Sequence, residues 1–123
     1  MDPAPNESIL LDNGLILEIS DESRKVAADR WLVKLTAHIA IEVTDRWFSD
    51  QLAMPATLAE LQRKLGTVAH YTYEEERNFV DKEDKGMVLR AIRQSLLSKK
   101  KYYGRADFAA RFIIMTYNKK SPY

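Results

Sequence analysis

The sequence predicts an α+β fold: a single-layer antiparallel β-sheet of about four strands, with two or three helices packed on one face. Three observations carry that expectation. One long segment, Trp31 to Val43, alternates apolar and polar residues at period two. Two others, 57–65 and 82–101, repeat apolar residues every three or four positions. The 123 residues, 46% hydrophobic and 30% charged, are enough for one core and too mixed for a low-complexity chain. A mostly helical domain with one hairpin is the competing architecture. Either way residues 1–123 form one domain, with 1–8 and 119–123 expected to be flexible.

Asp12-Asn13-Gly14 is a turn signal, because Asn and Gly accept positive φ. The following run predicts a strand over 15–20, with Leu15, Leu17 and Ile19 on one face. Segment 26–43 is the strongest strand: Val33, Leu35, Ala37, Ile39, Ile41 and Val43 alternate with Lys34, Thr36, His38, Ala40 and Glu42. A strand of that length is expected to bend or bulge, and to pair with the strand before it. Trp47, Phe48 and Leu52 have helical spacing, which predicts a helix near 46–54 that Pro55 ends. Thr57-Leu58-Ala59-Glu60 reads as a capping box opening a helix over 57–65, with Gly66 as its stop.

Residues 68–80 alternate again through Val68, His70 and Thr72. Glu74-Glu75-Glu76 suits only a solvated or edge strand, where charge deters pairing with another sheet. A helix over 73–79 is the alternative. The helix 82–101 repeats Val88, Ile92 and Leu96 every four residues, with Asp81 placed to cap it and Lys99 to Lys101 at its negative end. Residues 108–118 are rich in aromatic and β-branched side chains and read as a last, central strand, although Phe108, Phe112 and Met115 also fit a helix.

The net charge of +1 conceals a polarised chain. Residues 1–60 hold 11 acids and 5 bases, and residues 86–123 hold 1 acid and 9 bases. The basic third supplies a candidate surface for a polyanion or a protein partner: Arg90, Arg93, Lys99, Lys100, Lys101, Tyr102, Tyr103 and Arg105. Lysine and arginine would neutralise phosphates there, and the tyrosines could stack on bases. The same residue types are enriched where proteins meet. Trp31, Trp47 and Phe48 are candidate contact aromatics, with a core role as the plain alternative.

No catalytic, cofactor-binding or metal-binding residues are assigned. The chain has no Cys, which excludes disulfides and thiolate chemistry. Its two histidines, His38 and His70, fall in no His-Glu-x-x-His arrangement, and the Gly-rich phosphate loops are missing. No stretch approaches the ~18 apolar residues of a membrane span, and residues 1–8 do not read as a secretory signal. The expectation is therefore a small non-enzymatic cytoplasmic domain that acts through protein contacts, homodimerisation included. Nucleic-acid or other polyanion binding through the basic third is the second reading. A small hydrolase-type enzyme using carboxylates and His70 is the third.

Overall fold

Alternation at period two leaves one face of a strand apolar, and a sheet of such strands must be covered on that face. The computed structural model describes residues 6–120. In chain order it holds β1 (Glu7–Leu10), β2 (Ile16–Asp21), β3 (Arg24–Ala27) and β4 (Arg30–Glu42). A 3₁₀ turn at Asp45–Trp47 follows, then α1 (Leu58–Leu65) and β5 (Val68–Asp81). Then come α2 (Lys85–Leu97), α3 (Lys100–Tyr103) and α4 (Phe108–Lys120). Of the ends expected to be flexible, Glu7 and Ser8 belong to β1, while Lys119 and Lys120 close α4; residues 1–5 and 121–123 lie outside the described residues.

The five strands form one antiparallel sheet, an α+β fold. β5 pairs with β4 from Arg30↔Asp81 to Glu42↔Val68 and so occupies one whole edge of β4. The other edge is shared: β2 takes Leu35 to Ile39, and β3 takes Arg30 to Leu32. β2 and β3 are thus one strand interrupted at Glu22-Ser23. There the Ser23 hydroxyl accepts a 3.0 Å hydrogen bond from the Lys34 amide, replacing a missing ladder partner.

The segment 26–43, expected to bend or bulge, is divided by the turn at Ala28-Asp29; a register shift lies in β3 between Lys25 and Ala27, and a bulge lies in β5. Trp31 opposes Val80 and Val33 opposes Arg77, so Asn78 and Phe79 together face Leu32. Phe79 takes φ +55°, a left-handed conformation that a bulky side chain rarely adopts. Ala28, in the two-residue turn between β3 and β4, has φ +38°. The whole of 73–79 is strand, and β5 is an edge strand, so its glutamates stand where charge is tolerated.

Leu17, Ile19, Val33, Leu35, Ala37, Ile39 and Ile41 point to one face and form the core with Leu61, Ile92, Leu96, Phe108 and Ile113 from the helices. α2 reaches this face through Ser95, whose hydroxyl donates to Glu75 at 2.8 Å, and Arg93, which forks onto Glu7. α1 begins as expected: Thr57 Oγ1 accepts from the Glu60 amide at 3.2 Å, and Gly66 ends it at φ +81°. Glu60 itself turns to Arg63, at 2.8 Å, instead of reaching back to complete the box.

Three expectations are corrected. The segment 108–118 is helix, not strand. Its β-rich composition is overridden by pairs four apart: Asp107 with Arg111 at 2.7 Å, Phe108 stacked with Phe112, and Thr116 donating to the Phe112 carbonyl. Near 46–54 only the 3₁₀ turn forms, and Trp47 is held by its indole N–H donating to the Glu42 carbonyl at 2.8 Å. Helix 82–101 divides into α2 and α3; Asp84 occupies the cap position without a side-chain hydrogen bond, and Asp81 pairs with Arg30 at the end of β5.

Candidate functional site

The residues of the basic sequence cluster differ in their partners and in their exposure. Arg93 is neutralised by Glu7, which lies 86 positions away in β1. That pairing holds the Glu7 carboxyl below its ordinary value of 4.5, the Arg93 hydrogen bond being the main cause. Lys99 lies over the Tyr73 ring at 4.9 Å. Tyr103 is 1% exposed and belongs to the core, where burial pushes its hydroxyl pKa up. Arg90, Lys100, Lys101, Tyr102 and Arg105 are exposed; Lys100 and Lys101 lie beside Asp12.

What α3 and α4 do build is an aromatic nest against the sheet. Tyr71 of β5 meets Tyr103, Phe108 and Phe112 edge-on, with ring centres 5.2 to 5.5 Å apart. Tyr102 packs edge-on against Phe108 at 5.6 Å. Such contacts add about 0.5–1.5 kcal/mol per pair beyond the area they bury. The Tyr71 hydroxyl donates to the Tyr103 hydroxyl at 3.2 Å. The turn predicted at 12–14 holds the nest in place. Asn13 donates from its amide nitrogen to the carbonyls of Tyr103 and Arg105, both at 2.9 Å, while its oxygen accepts from the Leu15 amide. Gly104 passes so close that a β-carbon there would lie 3.2 Å from the Asp12 nitrogen and 3.3 Å from the Lys100 carbonyl.

Beside the nest is a cavity of about 290 Å³, walled by Tyr71, Tyr102, Phe108, Phe112 and Met115. Arg105, Asp107 and Arg111 also line it. Asp107 accepts from Arg105 Nε at 3.2 Å and from Arg111 Nε at 2.7 Å. The Arg111 hydrogen bond, with both guanidinium charges, keeps the Asp107 carboxyl below its ordinary value. The sequence cluster therefore contributed Tyr102 and Arg105 to this cavity; Tyr71, Asp107, Phe108, Arg111, Phe112 and Met115 were not anticipated. The spacing of Phe108, Phe112 and Met115, together with Asp107 and Arg111 four apart, is the signal that could have found the helix, and with it the wall.

The second surface is the face of the sheet opposite the core. At one end Leu10 and Ile16, paired across β1 and β2, are 70% and 48% exposed. At the other end Val26, Leu32 and Phe79 line one hollow, and Phe79 is 65% exposed. Between them the face is polar. Lys34 bridges Glu22 and Glu74 at 3.5 and 3.4 Å. Burial works against its charge, but the two carboxylates outweigh it and raise its pKa. His38 Nε2 and His70 Nδ1 are 2.9 Å apart with the rings stacked, and Glu18 lies 3.7 Å from His38 Nδ1. Among the described residues, the Thr36 hydroxyl is buried on this face without a hydrogen-bond partner.

The two histidines thus meet across strands, a contact the sequence did not reveal. Among the described residues no group of three or more His, Asp or Glu is arranged to hold a metal ion. Trp31, Trp47 and Phe48 all pack partly buried against the core. Trp31 carries the Lys85 ammonium 3.7 Å above its ring, and Arg46 lies 4.3 Å over Trp47. Among the described residues no helix is long and apolar enough to cross a membrane. Comparison with protein-family models, with curated proteins and with solved structures gives no match.

Proposed function

We propose that this chain is a protein-contact domain that pairs with a second copy of itself through the open face of its sheet. The observation that carries the reading is the placement of large apolar side chains at both ends of that face, Leu10 and Ile16 at one and Val26 and Phe79 at the other. A two-fold axis through the polar centre sets each end of one copy against the opposite end of its partner, which is how a closed, self-complementary interface is made. The left-handed backbone at Phe79 supports this. Strain of that kind costs about 1–3 kcal/mol and tends to persist where a side chain is being presented.

The dimensions are adequate. The five strands have 4, 6, 4, 13 and 14 residues. At a rise of about 3.3 Å and a spacing of about 4.8 Å the face offers roughly 650 Å² per copy, near the lower end of standard specific interfaces. Light scattering behind size exclusion, run over a range of concentrations, tests the reading. A two-chain mass is expected for the wild type, and a one-chain mass for Ile16→Asp and for Phe79→Asp. A wild type that stays monomeric at the highest concentration, or charged variants that remain dimeric, would overturn it.

A further inference from the structure

We propose that the cavity under α4 is a binding site for a small amphiphilic monoanion: an apolar body the size of one substituted ring, carrying one carboxylate. This is independent of the open sheet face. Tyr71, Phe108 and Phe112 face the cavity from the core side of the sheet and from α4, so its walls belong to the layer already packed.

Size sets the body. An apolar cavity of about 150 Å³ is enough to take benzene. The 290 Å³ here holds a ring and a short arm, at the lower end of small-molecule sites. The walls set its chemistry. Five of the residues named around the cavity are aromatic or thioether side chains, which favour a flat or polarisable guest.

The mouth sets the charge. Arg105 and Arg111 share the single carboxylate of Asp107, leaving one positive charge uncompensated at the rim. Each arginine meets Asp107 through Nε. Among the described residues the terminal nitrogens of both guanidiniums make no hydrogen bond, which leaves on each a pair of donors suited to a carboxylate. The arginine side chains are 62% and 68% exposed and so can reorient onto a guest. Asp107 holds them at the cavity in its absence.

The test titrates the protein, ¹³C-labelled at its methionine methyls, with 3-phenylpropionate, with the neutral 3-phenylpropanamide and with acetate. The Met115 methyl is expected to shift and saturate with phenylpropionate at up to about 10 mM, while the Met87 methyl, exposed on α2, stays in place. The amide is expected to bind about tenfold more weakly, and acetate to leave Met115 unmoved. Arg111→Gln, a surface change, is expected to weaken phenylpropionate about tenfold and leave the amide unaffected. No saturable shift at Met115 overturns the site. Equal binding of acid and amide overturns its preference for an anion. Neither outcome alters the mass of the particle, so failure here is distinct from failure of the self-pairing reading.

Discussion

Ile39 and Ile16 are the same residue type in neighbouring strands, and they lie on opposite faces of one sheet. Ile39 is fully buried under the helices, whereas Ile16 is half exposed beside Leu10. The core face is apolar along its length and closed by helices α1, α2 and α4. The open face is apolar only at its ends, with ion pairs and a histidine contact between. One face meets the demand of stability and the other is free to meet that of recognition, because a core tolerates few polar groups while an interface works with a mixture.

The sharpest way to break the contrast is to make one substitution on each face. Ile39→Ala should cost about 2–5 kcal/mol in urea unfolding, from lost burial and the cavity left behind. Ile16→Ala should change stability by about 0.5 kcal/mol or less at concentrations where the chain is monomeric. Equal losses would show that the open face is packed as a core is. Next in size is Gly104→Ala. Its β-carbon meets backbone on two sides, so a loss of about 1–3 kcal/mol is expected, with chemical-shift changes centred on residues 12–14.

Smaller effects probe the margins of the two faces. Ala28→Gly should stabilise by up to about 1 kcal/mol in thermal unfolding, since relief of about 1–2 kcal/mol at the positive φ of position 28 exceeds the roughly 0.5–1 kcal/mol of added unfolded-state freedom. Glu7→Gln should give the smallest change, and one that depends on pH. The native carboxyl titrates below 4.5, so its contribution is present above that value and is lost as the pH falls through the lowered native value. The variant should therefore unfold at lower urea than wild type at neutral pH, and the two midpoints should converge in acid.

Much of this fold was legible because it is periodic. The strand 26–43, the strand 68–80 and the helix at 57–65 each announce themselves through spacing, and each forms with limits a few residues from those expected. The break between β3 and β4 was hidden because Ala28-Asp29 carries no strong turn signal. α4 was misread because Phe, Ile and Thr favour strands when considered locally, and the sheet that selects the helix is brought to it by distant segments. Two contacts in the basic cluster were hidden for the same reason. Nothing near Arg93 says that Glu7 will meet it, and nothing near Tyr103 says that Tyr71 and Phe108 will enclose it.

Asn13 ties the first turn of the sheet to carbonyls 90 and 92 positions further along. On a ribosome the hairpin of β1 and β2 can form early, because its pairings are local. The two amide hydrogen bonds cannot form until residues 103–105 have emerged. Until then the core face of the finished strands lacks the cover that α4 supplies through Phe108 and Ile113. A nascent chain stalled before Gly104 would leave that part of the face bare to chaperones and to other chains. The turn that begins the sheet is, in time, among the last parts of the domain to be secured.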